Sequence, residues 1–243
     1  MVASARVDGR QARWDRHNQQ RRQQILDAAI AVVETAEPGA EFHVQQIADE
    51  AGLNRTVVYR HFSDRADLDR AIQAEILVQL TALLVPQVSL DGTVNEIIHR
   101  IISTYVDWAV EHPALHRLAE HDSTGGPGPL QNGIHQIAGV LVEILETAVT
   151  MLEVQLDDGE KAAIDPLAYA LVGAVFGAVR RWASREEREP SAAQLSDILS
   201  RSVWHLLDGH ARRLGLDLDP DRPIEELFGL WGLVDDGPEV AQA

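Results

Sequence analysis

Along most of the chain apolar residues recur every three to four positions, the spacing that lines one face of an α-helix. Ile25, Ala29, Val32 and Val33 mark a first helix, halted by Glu37-Pro38-Gly39. A compact segment runs from Val44 to His61. The next helix opens at Ser63 or Asp64 and continues to about Val85, where Pro86 stops it. Ile97, Ile98, Ile101, Ile102, Tyr105, Val106 and Trp108 then build a broad apolar face that ends at His112-Pro113. A short helix over 114–120 precedes Gly125-Gly126-Pro127-Gly128-Pro129, which reads as a loop. Long apolar helices are expected over roughly 130–156, 165–184 and 192–214. After a polar break at 217–222, Pro223 opens a last amphipathic helix, with Ile224, Leu227, Phe228 and Trp231 at i, i+3, i+4 and i+7. No alternating run bounded by tight-turn residues predicts a strand.

The pattern predicts an all-α fold: a small N-terminal helical domain followed by a larger helical bundle. The expected boundaries are a flexible basic arm over 1–20, a first domain over 21–66, a second over 67–215, and a C-terminal extension over 216–243. On this layout the helix from Ser63 to Val85 is the only covalent bridge between the two domains.

Composition narrows the picture. The 243 residues are 45% hydrophobic and 24% charged, an ordinary globular balance. There is no cysteine, which removes disulfides and thiolate metal sites and suits a cytoplasmic protein. The longest apolar run, 166–179, is shorter than the roughly 20 residues that span a bilayer, so no membrane is expected. No Gly-x-Ser-x-Gly, phosphate-cradling glycine loop or His-Glu-x-x-His is present, so neither an enzyme nor a cofactor is expected. The net charge of −17 argues against a nucleic-acid partner until it is divided by region. Residues 1–26 hold six arginines against two aspartates, and the acidity belongs mainly to the C-terminal two-thirds. An acidic body with a locally basic tip can bind DNA through that tip.

The chemistry concentrates in Val44–Phe62. Ala48 is small where two helices must cross closely, and Gly52 suits a turn that needs a positive φ. Ile47, Ala51, Leu53 and Val58 supply locking contacts, and Asn54 is a strong N-cap for the helix that follows. That helix offers Arg55, Thr56, Val57, Tyr59, Arg60 and His61, a donor-rich and partly apolar set suited to a major groove. An ordinary helical hairpin would carry the glycine turn but has no need of the other features. Before the first helix, Arg6, Arg10, Arg13, Arg16, Arg21 and Arg22 offer either phosphate or minor-groove contacts or a solvated tail. Arg21 and Arg22 adjoin the motif and are the stronger candidates.

Ile47-Ala48, Ala51-Gly52-Leu53 and Val58-Tyr59-Arg60-His61-Phe62 followed by Ser63-Asp64-Arg65 resemble the helix-turn-helix of the TetR family of bacterial one-component regulators. The resemblance is specific over residues 21–70. It implies nine or ten helices, a DNA-reading N-terminal domain, a ligand-binding and dimerising C-terminal domain, and an operator as partner. By the same resemblance Tyr59 and Arg65 contact phosphates, and Arg55, Thr56 and Val57 face bases. His43 and Val44, at the start of the preceding helix, and Asn54 are also expected among the DNA-binding residues, with His43 standing where the family commonly caps that helix with Thr or Ser.

For the sensing half the resemblance implies a pocket, with Tyr105, Trp108, Leu115, Leu118, Ile134, Ile137, Leu141, Ile144, Leu145 and Phe176 as candidate walls. Plain core packing is the favoured explanation for any one of them taken singly. The absence of charge in these stripes points to a small apolar ligand, whose binding is expected to release a repressor from a palindromic operator. Ala170, Gly173, Ala174, Gly177 and Ala178, with Leu199, Val203 and Leu206 on the next helix, match the place and character of the family's homodimer interface. His112, His116 and Glu120 share a helical face, with His121 adjacent, but read as surface polar residues, and no metal is expected.

Overall fold

The computed structural model describes residues 9–36, 41–89, 91–120 and 128–227. Among these residues the chain forms ten α-helices and one 3-10 turn, and the sole β-type pairing is an isolated bridge between Thr93 and Pro223. The helices are α1 (Gly9–Thr35), α2 (Val44–Glu50), α3 (Arg55–His61), α4 (Arg65–Leu84), α5 (Val94–Glu111), α6 (Pro113–Ala119), α7 (Pro129–Met151), α8 (Asp158–Ala183), α9 (Ala192–Arg213) and α10 (Ile224–Leu227), with the 3-10 turn at Val85–Gln87. The all-α expectation holds. Residues 9–20, expected within a flexible arm, are instead the opening turns of α1. Phe228 and Trp231 of the predicted C-terminal stripe, and His121, lie outside the described residues.

The helices divide into two compact units, one of Met1–Leu77 with His112–Leu130, the other of Val78–Glu111 with Gln131–Ala243. This corrects the boundary expected after residue 66 and the expectation of a single bridge. The chain passes between the units within α4, again where α5 ends and α6 begins, and a third time at the start of α7. Apolar periodicity shows that a helix has a buried face, but not which neighbour buries it, so α6 was placed by sequence order with the wrong unit.

In the first unit α1 contributes Ile25, Ala29 and Val33 to a core shared with Ile47, Ala48, Val58, Phe62, Leu68, Ile72 and Ile76. Helix α6 adds Leu115 and Ala119, and Gln73 Nε2 donates to the Leu118 carbonyl at 2.9 Å. His112 Nδ1 meets Glu34 of α1, and the buried His116 lies 3.5 Å from Glu120. Among the described residues no group of three such side chains converges to hold a metal.

In the second unit α5 packs along α9, where the buried Ser196 and Ser200 keep the two backbones close. The Ser200 hydroxyl is satisfied by the Ser196 carbonyl at 2.7 Å. Trp182 closes the α8–α9 connection by donating Nε1 to the Pro190 carbonyl at 2.7 Å. Helix α8 starts seven residues before its expected position. Asp157 accepts from Glu160 N at 2.8 Å and Glu160 accepts from Asp157 N at 3.0 Å, a reciprocal cap that leaves Pro166 inside the helix. The cap lies outside the apolar run that had suggested the boundary.

Two helix ends show what the backbone demands. After α2, Gly52 has φ +65°, Leu53 N donates to Ala48 O at 2.8 Å and Gly52 N to Asp49 O at 3.0 Å, the paired bonds of a left-handed C-terminal cap. After α7 the same cap forms with Glu153 at φ 52°, where Val154 N reaches Val149 O at 3.0 Å. A side chain in this conformation costs about 1–2 kcal/mol. Gly52→Ala should therefore lower stability by about 1–2 kcal/mol. Glu153→Gly should raise it by about 0.5 kcal/mol after the entropy glycine loses on folding. Thermal unfolding of the two variants against the parent chain checks both signs.

Candidate nucleic-acid interface and ligand cavity

The left-handed turn at Gly52 ends α2 ahead of α3, and Gln24 of α1 holds the turn by donating Nε2 to the Ala51 carbonyl at 2.7 Å. On α3, Val58 is fully buried while Asn54, Arg55, Thr56 and Arg60 are exposed. Val57, Tyr59 and His61 are half-buried along the flank. The Arg55 guanidinium lies 5.5 Å over the Tyr59 ring, so two groups expected at DNA are already arranged beside each other. Asn54 occupies the N-cap position with extended backbone, and its carbonyl accepts from Val57 N at 2.8 Å, but its side chain makes no cap bond. The predicted capping role belongs to its backbone alone.

At the start of α2 the His43 N–H donates to Gln46 Oε1 at 2.7 Å, so Gln46 supplies the capping bond that the sequence had left open. His43 is exposed, whereas the Val44 side chain is 5% exposed and belongs to the core. Val44 can offer DNA only its backbone, a correction to its expected role.

Two of the expected DNA-binding arginines hold the unit together. Arg22 donates to the His61 carbonyl at 3.0 Å and lies 4.2 Å over the Phe62 ring. Arg65 grips both Asp69 oxygens through Nε at 2.7 and 2.9 Å, donates to the Phe42 carbonyl at 2.9 Å and covers the Phe42 ring at 4.4 Å. A guanidinium has five N–H donors, so each retains some for phosphate. Arg21, half-buried, donates to Gln24 at 3.1 Å.

In the second unit a cavity of about 160 Å³ lies among α4, α5, α7, α8 and α9. Of the candidate wall residues Tyr105, Ile137, Leu141, Ile144 and Phe176 line it, with Tyr105 stacked on Phe176 at 4.6 Å. Leu84, Val85, Ile98, Leu171 and Val175 complete much of the wall and were not foreseen. Trp108 is buried away from the cavity, and Ile134 and Leu145 lie off the α7 face that lines it. Leu115 and Leu118 belong to α6 in the first unit. Val203, expected at the dimer surface, faces the cavity with Leu207. Pocket and core residues are equally apolar, so composition could not separate them. Helices α7 and α8 are long and apolar enough to span a bilayer by length and composition alone, a test that core helices also pass. Here part of their apolar surface walls this cavity instead.

Burial at the end of α3, with Arg22, Arg21 and His17 nearby, lowers the pKa of His61 below the usual 6.5. Folding thus favours the neutral imidazole. Above pH 6.5 this has no effect on stability, because folded and unfolded states are both neutral there. As pH falls from 6.5 toward the lowered folded value, the unfolded chain takes up the proton first and stability declines. Thermal midpoints between pH 7 and 5 should fall less steeply for His61→Gln than for the parent chain.

Residues 25–72, from the core of α1 to the middle of α4, match the family model of bacterial regulatory proteins of the tetR family. A protein of Mycobacterium tuberculosis named as an HTH-type transcriptional regulator is 29% identical over 211 residues, covering 86% of each chain. The crystal structure of a tetR-family transcriptional regulator from Streptomyces coelicolor shares the fold, with TM-score 0.60 and 19% identity over 87% of this chain and 96% of that one. So does the transcriptional regulator FadR from Bacillus subtilis, solved in complex with stearoyl-CoA, with TM-score 0.54 and 19% identity over 74% of this chain and 96% of that one. The motif that carries the match is the one whose turn, core and exposed row the structure assembles, and over residues 25–72 the chain carries a DNA-binding helix-turn-helix of the kind that the model of tetR-family bacterial regulatory proteins describes.

Proposed function

We propose that this regulator represses transcription as a homodimer on a palindromic operator and is released when a small apolar molecule enters the cavity of the second unit. The cavity is the observation that carries this reading. Its walls are aliphatic and aromatic, without a charged side chain. A cavity near 150 Å³ lined by such groups stays dry and accepts benzene, so a resting volume of about 160 Å³ suits a ring or a short aliphatic chain. A longer chain has to part the walls. The stearoyl-CoA complex of the Bacillus subtilis FadR, a protein of the same fold, fits that direction.

Parting the walls reaches the DNA-reading unit through the chain itself. Leu84 of α4 and Tyr105 of α5 line the cavity, α4 continues back into the first unit, and α5 runs directly into α6. Coupling of this kind amounts to about 1–3 kcal/mol, or roughly 5–150-fold in operator affinity. At the DNA, Arg55 and Thr56 select bases, while Tyr59, Arg60 and His43 meet the backbone. The protein works in the cytoplasm, beside the DNA it reads.

The dimer is supported by an exposed face on the two last long helices. Ala170, Ala174 and Gly177 are exposed on α8, with Gly173 and Ala178 half-buried beside them. On α9 Ile198 and Leu206 are 44% and 50% exposed, and Leu199 is half-buried. Small residues flanked by exposed aliphatics let two copies approach closely, and a two-fold protein matches a palindrome.

Selection of duplexes from a random pool tests the DNA reading, followed by affinity measurements on the winner. Arg55→Ala should relax preference at particular base pairs by about 1–3 kcal/mol each. A side chain at Gly177 meets nothing within 4 Å in the monomer, so Gly177→Glu should leave the fold intact yet sediment as a monomer and bind a palindrome no better than a half-site. Failure to enrich any duplex, or a monomeric parent chain at micromolar concentration, counts against the proposal. Ile137→Trp or Leu141→Trp, which fills the cavity, should either mimic the ligand by lowering operator affinity or block its effect in a screen of apolar compounds. Ligand binding that leaves operator affinity unchanged rules the mechanism out.

A further inference from the structure

Helix α1 is much longer than its packing requires. Its first core residue is Ile25, yet the helix begins at Gly9, and every residue from Arg13 to Gln20 is exposed. Trp14, at 63%, is the most exposed large apolar side chain among the described residues. A short helical stretch that buries nothing is marginal in water, and an exposed tryptophan is a poor solvent-facing choice. Such a segment makes physical sense when a partner covers it.

The face it offers is defined by the contacts at its inner end. Arg22 is fixed by its 3.0 Å bond to the His61 carbonyl, which sets how α1 is turned relative to the end of α3. His17 and Arg21 are close enough to His61 to oppose its protonation. Positions 13, 14, 17 and 21 stand at i, i+1, i+4 and i+8, so Arg13 and Trp14 continue the same helical face outward. Gln19, also exposed, is turned by roughly 120° or more from each of these four positions. Two of these four residues are arginines, in a chain whose net charge is −17. An anionic partner is repelled by most of the protein and attracted here.

Resting on the reading of α3 as the DNA-contacting helix, we infer that the exposed opening of α1 is a second DNA contact, with Arg13, Trp14, His17 and Arg21 laid against the sugar–phosphate backbone just outside the base pairs read by α3. From Arg21 to Arg13 the helix advances roughly 12 Å. At 3.4 Å per base pair that lengthens each half-site by about three or four base pairs. The arginines hold phosphates, and the flat indole of Trp14 packs on deoxyribose, a contact without sequence preference. Operators for this protein are therefore longer than the bases α3 can specify, with outer positions that tolerate any sequence.

The test uses the full chain, the duplex selected from a random pool, and an unrelated duplex of equal length. Arg13→Ala should weaken both duplexes by a similar factor, about tenfold at low salt, and reduce the slope of log affinity against log salt by about 0.9 per subunit. Trp14→Ala should weaken binding with the slope unchanged, and hydroxyl-radical protection should retreat by about three or four base pairs at each outer edge in either variant. Gln19→Ala, off the face, is the control and should change little. If Arg13→Ala and Trp14→Ala match Gln19→Ala in affinity, slope and footprint while the parent chain binds its duplex tightly, the contact does not exist and the reading of α3 survives. If the parent chain selects no duplex, the reading of α3 itself falls and the inference falls with it. Cosedimentation with vesicles of anionic phospholipid that depends on Arg13 and Trp14, with footprint and salt slope on DNA unaltered, assigns the face to a membrane surface and overturns the inference.

Discussion

Two arginines stacked on phenylalanines fix the geometry on which the first unit depends. Arg22 lies over Phe62 and bonds the last carbonyl of α3, while Arg65 lies over Phe42 and bonds the carbonyl just before α2. One closes the exit of the helix-turn-helix and the other its entrance. Helices α2 and α3 have seven residues each, too short to persist alone, so their ends have to be held from outside. A cation over an aromatic face contributes about 0.5–1 kcal/mol at an exposed site. The hydrogen bonds add direction, tying the backbone of both ends to α1 and α4. Removing either guanidinium leaves a short helix with an untied terminus beside the DNA.

This explains where the sequence was legible and where it was not. The turn was readable because only a left-handed backbone needs glycine there, and Gly52 has φ +65°. The core of the motif was readable because Ile47, Ala48 and Val58 follow helical spacing, and all three are buried. The exposed row of α3 follows from those two facts. Arginine is harder: a guanidinium beside a DNA-binding motif fits a phosphate, a carbonyl or an aromatic ring, and only the fold shows that Arg22 and Arg65 already touch the last two. Val44 failed for a related reason, since adjacency to the motif does not say which way a side chain points.

The cavity marks the limit of periodicity. Tyr105, Ile137, Leu141, Ile144 and Phe176 were identified because they are central and apolar, yet Leu84, Val85 and Val175 satisfy the same description and line the same space. An empty space in a protein interior is a property of how faces fail to meet, and no single strand of sequence encodes that. The mistaken placement of α6 has the same origin: its buried face is plain in Leu115 and Ala119, while the partner that buries it is set by the path of the whole chain.

Helix α9 presents one side to the cavity through Val203 and Leu207 and leaves Ile198 and Leu206 uncovered on another. In a dimer joined along α8 and α9, a single rigid helix then borders both the ligand of its own subunit and the neighbouring subunit. A ligand that shifts Val203 also shifts the seam, so occupancy of one cavity alters the affinity of the other by the same free energy in either order. In the dimer proposed above this helix is the route by which filling one cavity would be felt at the other, and a ligand titration that departs from a simple hyperbola would be its signature.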